Sequence, residues 1–159
     1  MKKLILATLF LGISFAAFSQ SKSVDGLYQK YKSNEDFFHL DIGGSFMNFA
    51  KGMNIKLDEG KTQALANSME RLKMFKLPVN AQTAKSEFSS LQKSLQREKF
   101  DLMMEISEKK NGVLVYTKGD RRISDIVVLI SDNSGDFMII ELQGDFDSKT
   151  VADAGKSIH

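Results

Sequence analysis

Cysteine is absent from the chain, which removes disulfides, thiolate nucleophiles, thiolate metal sites and any cysteine able to carry an acyl anchor. Tryptophan is absent too, so a carbohydrate cleft would lack its preferred stacking platform. Proline occurs once, at Pro78, and no proline-rich or serine-rich tract marks a linker between domains. Nor does one sign of charge prevail. Without Lys2 and Lys3 the 22 basic residues fall to parity with the 20 acidic ones, so the formal net charge of +2 points to no anionic partner. A basic stripe with interleaved aromatics, as nucleic acid requires, is missing. Beyond residue 19 the longest uninterrupted apolar run is Ile126 to Ile130, far short of the ~20 residues that span a bilayer.

What the chain does have at its start is MKKLILATLFLGISFAAFS. Lys2 and Lys3 make a charged n-region, Leu4 to Phe18 an apolar h-region, and Ala17 and Ser19 place small residues before a cut that leaves Gln20 first. The apolar stretch is shorter than a spanning helix, and no basic stop-transfer cluster follows it directly. The expectation is a signal peptide over 1–19, cleaved between Ser19 and Gln20, and a single domain over 20–159. That domain is periplasmic or secreted and has no transmembrane segment after signal removal. A chain of this size buries roughly two thirds of its unfolded surface, enough for one core without disulfides.

Val24, Leu27, Tyr28 and Tyr31 recur at helical spacing after Ser23, a suitable N-cap, so a short amphipathic helix should open the domain. Phe38, Leu40 and Ile42 alternate with Phe37, His39 and Asp41, the period of a strand, which Gly43 and Gly44 would end. A helix capped by Ser45 follows, with Phe46, Met47, Phe49, Ala50 and Met53 on a broad apolar stripe, and then a third capped by Asp58. RLKMFKL fits either helix or strand; we assign the helix to about residue 69 and a strand to 70–77, running into Pro78. Asn80 caps the next helix, which gathers Ala84, Phe88, Leu91 and Leu95 on one side.

From Phe100 the period changes to two. FDLMMEIS, GVLVYTK, ISDIVVLIS and DFMIIELQ are separated by breaks that permit only hairpins, so they make an antiparallel meander. Ile126 to Ile130 is apolar on both faces and belongs at the sheet centre, while Asp147 or Ser148 starts a closing helix through Ala154. The expected fold is α+β: a mostly antiparallel sheet with a C-terminal four-strand meander and helices packed on one face.

The ordered set of FDLMMEIS, a glycine-containing hairpin, ISDIVVLIS, an acidic turn and a strand running into Gly144-Asp145-Phe146-Asp147 resembles a family of short exported bacterial proteins. That family is catalogued as domain of unknown function four-two-five-two. The resemblance covers the leader and about Val24 to the end, and its most specific part lies between Phe100 and Asp147. It implies an envelope-located domain with no established activity and no catalytic residue to carry over. It also implies an association with envelope-stress regulation and, in many members, a lipid anchor, a pattern from which a chain without cysteine departs.

Four groups of residues invite a chemical role. Gly60-Lys61-Thr62 imitates the end of a phosphate-binding loop, yet the first glycine of that motif would fall on Ile55, so a helix N-terminal turn is expected. Asp132, Asn133, Asp136, Asp145 and Asp147 gather the hard oxygens that calcium prefers, but without the alternate ligands and distal glutamate of a calcium loop; a tight hairpin and a helix cap account for them. His39 and Asp41 leave the same face of a strand, as a base and its orienting carboxylate do. His159 is terminal, no Gly-x-Ser-x-Gly turn supplies a nucleophile, and two histidines without cysteine make a poor zinc set. Lastly, Phe37, Phe38 and the Phe46, Met47, Phe49, Met53 stripe carry more apolar surface than a small helix needs, for core packing first and for adaptable docking as the alternative.

No catalytic, cofactor-binding or metal-binding residue is assigned, no cofactor is expected, and the chain is not expected to be an enzyme. The expected function is that of a non-catalytic exported domain. It would bind another envelope protein, in a sensing or stress pathway, through its apolar helical face or a sheet edge. The alternative is a module that holds a lipid or other apolar molecule between sheet and helices. A cavity lined by Phe and Met would favour it, and a filled interior would count against it.

Overall fold

A computed structural model describes residues 20–44, 46–53, 60–109 and 111–156. The expected leader, the Ser45 and Asp58 caps, Ile55 and His159 lie outside the described residues. The elements run α1 (Lys22–Tyr31), β1 (His39–Gly43), α2 (Phe46–Gly52), α3 (Lys61–Ser68), β2 (Met69–Lys76), α4 (Ala81–Arg97), β3 (Asp101–Glu108), β4 (Asn111–Gly119), β5 (Arg122–Ser131), β6 (Phe137–Asp147) and α5 (Ser148–Lys156).

The six strands form one antiparallel sheet in the order β1-β2-β6-β5-β4-β3. β3 to β6 are the meander that their short connections demand, and β5, apolar on both faces, lies beside β6 at the centre. RLKMFKL is a strand because its alternation finds a partner: Lys73 stands opposite Glu141, Met74 opposite Ile140 and Phe75 opposite Ile139. The helix before it ends at Ser68. At that junction β6 passes so close that a Cβ on Gly144 would lie 2.0 Å from the Ser68 carbonyl oxygen, which leaves room for glycine alone.

The pleat sends Phe75, Ile139, Leu129 and Leu114 to one face in a single cross-strand row. Over it lie α1, with Val24, Leu27 and Tyr28 inward, and α4, with Ala84, Phe88, Leu91 and Leu95 inward. The spacing that made these helices amphipathic is what turns those residues to the sheet, each large one contributing about 1.5–3 kcal/mol on burial. The short helices α3 and α5 pack together at one end of the opposite face, setting Leu65 and Val151 against Ile126, Leu142 and Phe146. Asn80 caps α4 and Asp147 caps α5, accepting the Thr83 and Thr150 N–H groups at 2.9 and 3.0 Å.

The cap of α1 is Ser21, not Ser23: the Val24 N–H donates to Ser21 Oγ at 3.2 Å. Ser23 sits inside the first turn, and its hydroxyl donates to Glu98. Glu98, which ends α4, also accepts the Ser21 hydroxyl at 3.0 Å and the Lys22 and Ser23 N–H groups at 3.1 and 2.8 Å. A carboxylate 75 residues along the chain from Ser23 therefore satisfies the start of the helix, and no local cap signal could reveal it. Glu98→Ala strips a charged acceptor from two helix N–H groups and two hydroxyls. It should cost about 2 kcal/mol, visible as a lower urea midpoint; an unchanged midpoint would mean that water replaces the carboxylate in full.

Candidate functional site

His39 and Asp41 do share a face of β1, opposite Phe75 and Lys73, but each is engaged separately. His39 Nδ1 lies 3.1 Å from the Phe37 carbonyl oxygen, and its ring stacks on Phe37 with centroids 5.2 Å apart. Asp41 is gripped at both oxygens by Arg71, at 2.9 and 2.8 Å, which holds its carboxyl below the usual range. A carboxylate committed to Arg71 does not orient His39.

The acidic residues divide between the two ends of β6. Asp132 Oδ1 accepts the Ser134 N–H, the Ser134 hydroxyl and the Asp136 N–H at 2.9, 2.8 and 2.9 Å. Those bonds tie the hairpin that contains Asn133, where Gly135 takes a φ of 83°. Asp136 pairs with Lys76 at 2.6 Å. Asp145 instead accepts from Arg122 Nε at 2.6 Å, next to the α5 cap. With β6 spanning 11 residues at about 3.3 Å each, the two groups cannot share one cation. Among the described residues no group of three or more His, Asp or Glu could hold a metal. Gly60 precedes α3 with a φ of 106° and offers no side-chain cap; α2 is the described element before it, so Gly60-Lys61-Thr62 opens a helix, as expected.

The aromatic and methionine positions split. Phe37 joins Tyr28 and Phe75 in a buried trio with centroids 5.6 Å apart, while Phe38 is 55% exposed. On α2, Ala50 is buried, but Phe49 and, just beyond the helix, Met53 are 37% and 63% exposed; the Met47 side chain lies outside the described set. The sheet carries an apolar surface of its own. Leu40, Met74, Ile140 and Val128 stand side by side across β1, β2, β6 and β5. Met138, Ile130, Val113 and Ile106 do so across β6, β5, β4 and β3. All eight face away from α1 and α4, and all are half-buried or exposed. Only Val128 among them packs against either buried cluster. Period-two alternation identifies residues that share a face, but not which face the helices cover.

Between the sheet and α1 and α4, Phe75, Leu95, Leu129 and Ile139 are fully buried, and an open hollow of about 540 Å³ lies between α4 and the start of β6, lined by Lys85, Phe88, Gln92, Ser131, Asp132 and Phe137 among others. A groove of about 210 Å³ runs between the two helices, lined by Ser23, Gly26, Leu27, Lys30, Glu87 and Ser90 among others, and the Lys30–Glu87 ion pair bridges it. Its mixed polar lining is not the Phe- and Met-lined cavity that an apolar ligand under the helices would need.

One buried polar cluster escaped the sequence patterns. Lys73, Glu141, Asp125, Gln143 and Ser21 are all buried on the face beneath α1. Lys73 Nζ donates to Asp25 Oδ1 at 2.9 Å, stands 3.9 Å from Glu141 Oε2 and lies 4.9 Å from the centre of the Tyr28 ring. Glu141 Oε1 accepts the Ser21 N–H at 3.0 Å, but Oε2 and Gln143 Nε2 have no hydrogen-bond partner. Burial pushes the Glu141 carboxyl up to about 7 against the pull of Lys73. Burial raises Asp125 as well, opposed by the Ser124 hydroxyl at 2.6 Å. Part of a signal was present: Lys73 alternates in phase with Phe75, and Glu141 in phase with Phe137 and Ile139, so each charge shares a face with large apolar residues, though alternation does not say that the helices cover that face.

A family model described as Domain of unknown function (DUF4252) matches residues 31–154. No curated protein and no solved structure matches the chain.

Proposed function

The chain belongs to the DUF4252 family, whose description names no activity, and from its own geometry we propose a non-catalytic exported domain that docks another envelope protein, in a sensing or stress pathway, through the apolar sheet face. The observation that carries this is the pair of cross-strand rows, apolar throughout and turned away from α1 and α4. Contiguous apolar surface on a small domain costs solubility and marks a binding site. Phe38, Phe49 and Met53 are further exposed apolar side chains, the latter two from the Phe/Met stripe; methionine and open aromatic faces adapt to a partner's shape. Export rests on the tripartite leader, which puts the partner in the periplasm or outside the cell. The full burial of Phe75, Leu95, Leu129 and Ile139 beneath α1 and α4, and the charged and polar residues in the lining of the hollows beside α4, count against an apolar ligand held between sheet and helices.

Photo-crosslinking residues placed at Met74 and at Lys85, on the outward side of α4, should behave differently in cells: the first captures one envelope protein reproducibly, the second does not. Met74→Glu combined with Met138→Glu should leave the fold intact and cut that capture at least ten-fold. Equal capture from both positions, or capture indifferent to the two glutamates, would overturn the assignment of this face.

A further inference from the structure

We infer that the amino terminus released at Gln20 is part of the fold: its α-ammonium enters the acidic pocket formed by Glu98, Asp125 and Glu141 at the start of α1, and supplies the hydrogen-bond donor that Glu141 Oε2 lacks. The inference rests on leader removal between Ser19 and Gln20.

Position comes first. The Ser21 N–H is 3.0 Å from Glu141 Oε1, and the nitrogen of Gln20 precedes it by one residue, a backbone step of about 3.6 Å. While Gln20 is joined to Ser19, that nitrogen is a neutral amide in a planar peptide. Cleavage frees it to rotate and gives it a positive charge. Glu141 is fully buried with one oxygen unpartnered, an arrangement that costs free energy until a donor arrives. Lys73 does not meet that need, because its hydrogen bond goes to Asp25 and it stays 3.9 Å from Oε2.

Charge points the same way. Carboxylates converge from four elements: Asp25 on α1, Glu98 at the end of α4, Asp125 on β5 and Glu141 on β6. Asp125 is the cross-strand partner of Gln143, two residues from Glu141 on the same face. Lys73 of β2 and Lys118 of β4 are the cations that act on these carboxylates. The N-terminal dipole of α1 disfavours a cation, but it is a partial charge and the uncompensated carboxylates exceed it. Processing would thereby tighten the anchor of α1 only after export.

The exported protein tests this directly. Mass spectrometry of the purified chain reads its first residue, and NMR titration of the α-amino group follows, in the native sequence and in Glu141→Gln. We expect Gln20 first, with an amine that holds its proton about ten-fold more tightly than the ordinary α-amino value of ~7.7, and loss of that difference in Glu141→Gln. A chain that starts elsewhere overturns the processing site and the inference with it. A chain that starts at Gln20 with an amine of ordinary affinity overturns the inference alone. So does complete conversion to pyroglutamate, in which the α-nitrogen attacks the Gln20 side-chain amide and releases ammonia, because a paired ammonium has no lone pair for that attack. If Glu141→Gln fails to fold, one extra alanine before Gln20 serves instead: it moves the charge out of the pocket and should lower the denaturation midpoint, and an unchanged midpoint overturns the inference.

Discussion

Lys73→Met should cost about 3–5 kcal/mol at pH 9, where Glu141 is ionised beside the lysine, lowering the melting temperature by roughly 10 °C for a domain of this size. Lys73 is 1% exposed, so its ammonium is almost wholly withdrawn from water. What holds it is Asp25 at 2.9 Å, the face of Tyr28 and the nearby Glu141. Methionine keeps the length of the side chain and removes the charge, which strands Glu141 among Asp125, Gln143 and the apolar residues beneath α1. Asp25 is half-exposed and can turn to water; Glu141 is fully buried and cannot. Replacing Glu141 by methionine as well removes the orphaned charge and should restore much of the loss, as apolar substitutes for buried ion pairs often do. Thermal unfolding followed by circular dichroism measures both variants. A shift below about 2 °C in Lys73→Met would mean that the lysine reaches solvent and the pair carries little.

The full chain of 159 residues should lose about 3 kcal/mol of stability between pH 5 and pH 8 because of Glu141. The carboxyl titrates at 4.5 in an ordinary environment and at about 7 in the fold. The folded chain binds that proton more tightly than the unfolded chain, so protonation stabilises it. The contribution is complete below pH 4.5, is withdrawn as the pH rises to 7 and is gone above that. Asp125, also raised by burial, acts in the same direction from its ordinary 3.8 upward. Asp41, Asp145 and Asp147 are held down by Arg71, Arg122 and the Thr150 N–H respectively, and act oppositely, but only on the acid side of their ordinary 3.8. Denaturant midpoints across this range should slope in the native sequence and stay nearly flat in Glu141→Gln. Parallel profiles for the two would rule out Glu141 as the source. In the processed chain an ammonium at Gln20 would draw Glu141 back toward its ordinary range, and the slope should shrink.

Much of the architecture was legible because its causes are local. Asn80 and Asp147 cap helices by bonding to a backbone three residues on, and the meander follows from alternation and short turns. RLKMFKL was ambiguous by pattern, since seven residues fit two periods, and only pairing with β6 resolved it. Ser23 reads as the cap of α1 because serine before an apolar period looks the same whether it caps the helix or sits inside its first turn. The choice of Ser21 depends on Glu98, brought from the far end of α4. His39 and Asp41 were rightly placed on one face, but Arg71 took the carboxylate, and a competing partner on a neighbouring strand leaves no trace in sequence spacing.

By itself the sequence determined an α+β chain with a C-terminal meander, β5 at its centre and an interior built without disulfides, because period, caps and turns are properties of neighbouring residues. Only the tertiary structure decided which side of each strand α1 and α4 would cover, and hence that Lys73 and Glu141 lie buried together while Leu40, Met74 and Ile140 remain half-open. The physical reason is that a strand's alternation divides its residues into two faces and is silent about which one is covered. That depends on where helices distant in the chain come to rest, with Glu98 as the carboxylate that holds α1 in place.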